Sequence, residues 1–568
     1  MNRGLRIPKQ LLQFSSLLLL VIAIGILLRI INLGSREFWY DEVLSVILSN
    51  GQKGNYQTPS DLPVALSNYS AWLSLSPKTG MIGTVINILR GLAGDVHPPL
   101  SYLSFYVGTL LFGNGEAVLR GVVVLFSVGA ILSAYGLGRT VLGHRGGLVL
   151  AALLAVNPFY LSHSLNARMY GSLVLWTVLS AWATLELREW GMKNGKEGSI
   201  AKSSPEVIAA PPISRRLQHQ LLWSGILIIS VTAGLLTQYL FVYWVMTLGI
   251  FVLIFDRRRW WQNGLCLGAG VLLWMPWFLW GTRQQLRNRS DVFSQLSQDK
   301  VTPLNNLEDV AQTLGTHLLL GDWATSLSTA IATVAGCVAI AVLVACGITL
   351  WRKHERSTLG IALVLGIIPL LLALAMDVAG KKLTVGFGWG RSMIFILPGC
   401  LLLLAVWLER AADKWRQTAA AILLVLYLSI SSADLGTRHR QMFHQIADLI
   451  EQEPTTPTLI VMNSNAWGHV LRLAYYIPSN LPVKLLSQKS DRLAPTLEER
   501  LASEPTQYQR ILWLDSARPV WGRASTPSQR EQVQKVLNQR FKLQKTQQLS
   551  GTMELDQFTA QLYKTSGS

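Results

Sequence analysis

Cysteine and charge are both scarce in this chain. The 568 residues hold four cysteines, Cys266, Cys337, Cys346 and Cys400, each inside an apolar run. That usage excludes a disulfide framework and a thiolate metal centre, and it predicts that the four pack as small apolar residues. Charged residues make up 14% of the chain, against about a quarter in soluble domains. The G-x-G-x-x-G and Walker phosphate loops are missing, as is any internal repeat. The glycine-rich stretch "GFGWGR", Gly386 to Arg391, follows no predicted strand and opens no phosphate-binding helix.

What the chain has instead is apolar length. Half of its residues are hydrophobic and the mean hydropathy is +0.33, with repeated runs near the roughly 20 residues that cross a hydrocarbon core of about 30 Å. The first, Leu11 to Ile31, lacks a small-residue cleavage site and runs directly into the aromatic stretch "REFWYDE", which predicts an anchor helix, not a removed signal peptide. The formal charge of +18 is gathered in short segments between apolar runs, so it reports topology, not a nucleic-acid surface.

Basic segments stand at Arg3 to Lys9, Arg139 to Arg145, Arg188 to Arg216, Arg257 to Arg259, Arg352 to Arg356 and Arg410 to Arg416, and the positive-inside rule assigns all six to the cytoplasm. Runs at 11–33, 118–139, 146–162, 171–187, 264–281, 326–350, 358–376, 392–409 and 418–434 then serve as single crossings. Residues 221–255 would form a helix of about 52 Å, which suits two crossings that turn outside near Thr237 to Tyr239. Pro98 to Gly113 is short, and counting it as a crossing would move every later basic segment outside, so it is expected to lie at the outer interface. About 11 crossings result, with a cytoplasmic N-terminus. The Gly/Ser/Pro/Lys-rich segment Gly191 to Pro212 reads as a flexible cytoplasmic loop.

From Leu435 the composition turns polar, and "TLIVMNS", "WGHVLRLAYYI" and "YQRILWLDS" alternate strand and helix patterns, as in a small α/β domain. The expected fold is therefore a mainly α, polytopic membrane domain over 1–434, with a first outer loop at about 34–117, followed by an extracytoplasmic α/β domain over 435–568.

Under this topology the polar residues gather on the outer side. Arg29 lies near the outer end of the first crossing, where it either snorkels to the interface or meets an outer-face phosphate. Asp41 and Glu42 follow Trp39 and Tyr40, an interfacial aromatic pair; they mark either a solvated loop start or a carboxylate tuned as a general base at the hydrocarbon edge. A transporter would carry ionisable residues deep in its helices and broken helices in related halves, and neither pattern is evident.

Five motifs, in order over roughly residues 11–409, carry a resemblance. "FWYDEVLS" from Phe38 looks like the W-x-D-E element of GT-C membrane glycosyltransferases that use polyprenyl-phosphate sugars, the protein O-mannosyltransferases and lipid A aminoarabinose transferase among them. "HPPLSYL" at His97, "NPFYLSHSLNARMYGSL" from Asn157, "TQYLF" at Thr237 and "GRSMIFILP" at Gly390 resemble later elements of the same family. The resemblance implies an inverting glycosyltransferase that moves a sugar from a polyprenyl-phosphate carrier to a protein, lipid or glycan acceptor on the outer face of the plasma (inner) membrane. It implies Asp41 as base with Glu42 beside it, and the expected topology puts His97, Arg168, Lys381, Lys382 and Arg391 on the outer side, where positive charge would hold the donor phosphate. Arg29, Asp95, Asn166, Tyr170, Gln238 and Tyr239 would line the pocket, with Asp95 also suited to a helix start and Tyr102, Tyr170 and Tyr239 to packing. Two departures stand out: Asn166 replaces the family's glutamate, which puts a metal ion in doubt and leaves a divalent cation optional, and Ser392 replaces the aromatic residue after the late arginine. A polytopic lipid or polysaccharide transporter and an inactive scaffold of the same fold are the alternatives.

Overall fold

The computed structural model describes residues 9–200, 213–257, 259–288, 301–437, 441–504, 506–520, 522–551 and 555–565. The chain divides into two compact units: Met1–Asn32, Leu92–Ser101 and Arg120–Asp434 form the first, and Leu33–Gly91, Tyr102–Leu119 and Leu435–Ser568 the second.

The first unit is a helical membrane bundle. Among the described residues, eight helices are long and apolar enough to cross: Gln13–Ile31, Glu116–Leu142, Leu217–Thr237, Trp260–Arg287, Thr329–Arg352, Arg356–Gly380, Arg391–Arg410 and Asp413–Gly436. A ninth crossing arises if His144–Val156 and Pro158–Ser164, bent by 62° at Asn157, count together. The two further expected crossings fall on helices Tyr170–Ile200 and Phe241–Phe255. The latter has 15 residues, about 22 Å at 1.5 Å each, short of the hydrocarbon thickness. The turn expected near Thr237 is present, since one helix ends at Thr237 and the next starts at Phe241. Within the expected cytoplasmic loop Gly191 to Pro212, helix Tyr170–Ile200 continues through its first part; residues 201–212 lie outside the described residues, as do residues 1–8 and Arg258 of the basic segments.

Arg29 does not snorkel. It is fully buried, and its guanidinium donates to Ser127 Oγ at 2.9 Å, Gly25 O at 2.8 Å and Ala155 O at 2.5 Å. Its ring partner is Tyr160, 5.3 Å from Cζ. A cation in a bundle interior needs such acceptors, because hydrocarbon supplies none. Arg29 is thus a tie between helices and not a residue of an open pocket.

The second unit is α/β and takes in Leu33–Gly91 and Tyr102–Leu119, much of the segment expected as the first outer loop. Its sheet runs β1 (Val64–Ala65), β3 (Val483–Ser487), β2 (Thr458–Met462), β4 (Arg510–Ser516), β6 (Gln557–Thr565), β5 (Phe541–Ser550). β3, β2 and β4 are parallel, while β1, β6 and β5 each join antiparallel. Helices Trp467–Tyr476 and Ser490–Ser503 make the crossovers. The parallel strands carry apolar centres, "LIVM" in β2 and "ILWL" in β4, because helices cover both of their faces, and every residue of β2 and β4 is buried. The loop contribution is concrete. β1 pairs with Leu485 and Lys484 of β3, Tyr56 packs its ring on Tyr69, Trp72 and Trp467, and Ser70 Oγ donates to Ala474 O at 2.6 Å. Pro98 to Gly113 forms helix Leu100–Phe112, whose 13 residues span about 20 Å, too short to cross.

Candidate active site

In the second unit, Asp41 and Glu42 open helix Tyr40–Ser49. Successive helical residues point about 100° apart, and here one turns in and the other out. Glu42 is 1% exposed, and its Oε2 accepts the Trp39 N–H at 3.0 Å, which satisfies one of the donors a helix start leaves open. Asp41 is partly exposed. The turn is anchored by Tyr40, whose ring lies 5.6 Å from His469 and 5.9 Å from Arg472 Cζ. Residue 468 must be glycine for this, since a Cβ there would stand 2.6 Å from the Tyr40 ring. Just upstream, Glu37 Oε1 accepts from His444 N at 2.7 Å, and Glu116 Oε1 from Phe38 N at 3.2 Å. Tyr102 is buried against Phe105.

In the first unit, three of the sequence candidates form a line. His97 Nδ1 lies 2.6 Å from Asp95 Oδ1, and His97 Nε2 lies 3.1 Å from Arg168 Nη2. A guanidinium has only donors, so Nε2 accepts from Arg168 and the Nδ1–H donates to Asp95. Asp95 therefore acts as the orienting carboxylate of an imidazole, and His97 in turn fixes one edge of a buried arginine. Tyr239 supports this line indirectly. Its hydroxyl donates to Gln285 Oε1 at 2.6 Å, and Gln285 Nε2 donates to Leu92 O at 2.8 Å and His97 O at 3.0 Å. Asn166 is buried, with Nδ2 3.4 Å from His163 Nδ1.

Arg391 starts the turn Arg391–Ile396 and lies over two rings, 6.0 Å from Tyr170 and 5.7 Å from Phe387. Gly388 makes this fold-back possible: its φ is +59°, and a Cβ would sit 2.4 Å from Arg391 Nε. Behind Tyr170 the rings of His163, Phe159 and His317 continue at 4.9, 4.4 and 4.3 Å. Gln238 Nε2 donates to Ser392 O at 3.0 Å, so Gln238 holds the backbone beside Arg391. Ser392, the departure from the family pattern, donates its hydroxyl to Thr384 O at 2.7 Å. Lys381 and Lys382 are exposed at the end of helix Arg356–Gly380, where Lys382 N donates to Asp377 O at 2.9 Å.

Sequence reasoning missed Gln285, His163, His317 and Asp377. Asp377 is the most legible of these, a lone carboxylate near the end of a 25-residue apolar helix. It accepts from Thr384 N at 2.8 Å and Val385 N at 2.9 Å. Among the described residues no group of three or more His, Cys, Asp or Glu is arranged to hold a metal ion.

No curated protein sequence matches the chain. Among solved structures, an oligosaccharyltransferase from Archaeoglobus fulgidus, in complex with zinc and sulfate, is similar at 13% identity and a TM-score of 0.46, over 87% of this chain and 67% of its own. ArnT from Cupriavidus metallidurans bound to undecaprenyl phosphate is similar at 13% identity and a TM-score of 0.42, over 96% and 98%. The resemblance read from the motifs is borne out over residues 96–194, the span that holds His97, Asn166, Arg168 and Tyr170, which matches the family model of dolichyl-phosphate-mannose-protein mannosyltransferases.

Proposed function

We propose that this protein is an inverting glycosyltransferase that takes its sugar from a polyprenyl monophosphate and delivers it to a hydroxyl acceptor on the outer face of the plasma membrane. The observation that carries this reading is the Asp95–His97–Arg168 line, which lies, but for Asp95, within the span that matches the mannosyltransferase model. A buried arginine oriented by an imidazole–carboxylate pair is suited to holding a phosphate and to stabilising it as it departs. Arg391, stacked on aromatic rings, offers a second such cation.

The chemistry asks little more. The acceptor oxygen forms a bond to the anomeric carbon as the bond from that carbon to the phosphate oxygen breaks. The phosphate leaves with the electron pair and needs no acid. The acceptor proton requires a base, the role the W-x-D-E resemblance assigns to Asp41, and the exposure of Asp41 beside the buried Glu42 supports that choice. A single displacement inverts the anomeric centre, as in single-displacement glycoside hydrolysis.

The test is purified protein incubated with polyprenyl-phosphate sugars and a panel of protein, lipid and glycan acceptors, with NMR of the product. Transfer with inverted configuration is expected. Use of a nucleotide sugar without lipid, or retained configuration, would overturn the reading, and movement of the lipid across a bilayer without transfer would make the protein a transporter.

A further inference from the structure

We propose that Asp309 is a positioning residue for the anion site at Arg391, the central member of a side-chain stripe that holds the Lys381–Ser392 loop in its binding shape. The proposal rests on the reading of Arg391 as a phosphate holder given above.

The loop cannot hold this shape by itself. Gly388, Trp389 and Gly390 stand in succession at φ +59°, +59° and +80°, and a tryptophan in the left-handed region is strained. One face of helix Pro303–Gly315 and its extension Thr316–Leu320 meets the loop along its length. Asn306 Nδ2 donates to Lys382 O at 2.6 Å, Thr313 Oγ1 to Val385 O at 3.2 Å, and His317 Nε2 lies 3.0 Å from Gly390 O. Between them the Asp309 carboxylate packs against Gly386. The contact is close enough that a Cβ on Gly386 would sit 2.3 Å from Asp309 Cγ. Positions 306, 309, 313 and 317 recur at helical spacing, so they form one stripe. Asp377 grips the opposite flank through Thr384 N and Val385 N.

Asp309 differs from its companions in carrying charge. Its carboxyl is pushed up to about 6 by burial, and by Asp377 and Glu308 nearby, while the Gly386 amide pulls the other way. The carboxylate is nonetheless held against the backbone of Gly386, five residues before Arg391.

The experiment uses the purified full chain. Hydrogen–deuterium exchange of the peptide covering 381–392 reads the clamp, and native mass spectrometry with added polyprenyl monophosphate reads the site. Asp309→Ala should speed exchange across the loop and weaken polyprenyl phosphate binding roughly 10-fold. Asp309→Asn, which keeps the shape packed against Gly386, should recover most of both. In an Arg391→Ala background, Asp309→Ala should add little to the binding loss, since positioning acts through Arg391. Unchanged loop exchange in Asp309→Ala overturns the proposal, as does a full additional binding loss in the Arg391→Ala background. If Asp309→Ala does not fold, Thr313→Val must show the same two effects, and failure to do so overturns the proposal equally. Wild type that binds no polyprenyl phosphate would sink the donor reading alone, with loop exchange still deciding whether Asp309 holds the turn.

Discussion

Arg472→Met should loosen the second unit more than any surface substitution. Arg472 and Asp556 are 1% and 2% exposed and joined by two parallel bonds of 2.9 and 2.6 Å. Arg472 also donates to Gly468 O at 3.1 Å and covers the Phe443 ring at 4.4 Å. Removing the cation leaves a carboxylate buried without its counter-charge, which costs about 3–5 kcal/mol, a large part of a typical domain stability of about 5–15 kcal/mol. Replacing both partners, Arg472→Met with Asp556→Leu, should recover most of that, because apolar groups of similar volume substitute for a buried pair at little cost. Amide exchange in β2 and β4 measures opening of the unit; a loss of about 3 kcal/mol speeds exchange on the order of 10²-fold. Helix Tyr40–Ser49 should follow, since Tyr40 loses the cation beside its ring. Equal acceleration in the single and double variants would refute the reasoning, because the damage would then come from lost volume and not from an uncompensated charge.

Asp41→Asn should lower transfer by about 10² or more, the usual scale of a general base, with donor binding retained; near-normal rates move the base elsewhere. Glu42→Gln should do less, because an amide oxygen still accepts the Trp39 N–H, whereas Glu42→Ala should cost about 1 kcal/mol of stability as a lost cap. The second unit should weaken in acid through His469, whose ring is pushed down to about 3 by burial and by Arg472. Below the ordinary value of 6.5 the unfolded chain takes a proton that the folded site refuses, so about 1.4 kcal/mol is lost per pH unit as pH falls. Calorimetry should show that acid limb flattened in His469→Gln, and an unchanged limb assigns it to another group. Cysteines introduced at Ser357 and Gln548 should differ towards an impermeant thiol reagent on intact cells: only position 548 should react, and labelling at 357 reverses the orientation.

The long apolar helices were legible because some 20 apolar residues in a row suit a membrane crossing and little else. The tail was legible for a related reason, since its parallel strands keep short unbroken apolar centres such as "LIVM" and "ILWL". Val64–Ala65 was not. A two-residue strand has no period, and its partner β3 lies over 400 positions away, so nothing local assigns Leu33–Gly91 to the same unit as the tail. The candidate site divides the same way. His97, Arg168 and Arg391 sit in recurring motifs, whereas Gln285 and His317 act on backbone groups 188 and 73 positions distant. Only the folded chain discloses such partners. Arg29 shows the opposite failure: helix-end position suggested snorkelling, and no local pattern reported Ala155 O waiting inside.

The adjacent carboxylates of "WYDE" are the sharpest case. In the string, the resemblance makes Asp41 the base and Glu42 its neighbour but gives no physical reason for that order. A helix start makes them unequal, because the third helical residue can reach back to the N-cap amide and the second cannot. Glu42 has the longer side chain and the position that reaches. Once it is committed to Trp39 N–H at 1% exposure, it cannot take a proton from an arriving hydroxyl without opening the first turn. Asp41, one residue earlier and one methylene shorter, keeps an exposed edge. The pair therefore supports a division in which the glutamate fixes the turn and the partly exposed aspartate carries the proposed base. Exchanging them, Asp41→Glu with Glu42→Asp, should then fail on both counts, since aspartate at 42 falls short of the cap and glutamate at 41 displaces the reacting oxygen. Full transfer by that double variant would show that the order of the two carboxylates carries no information.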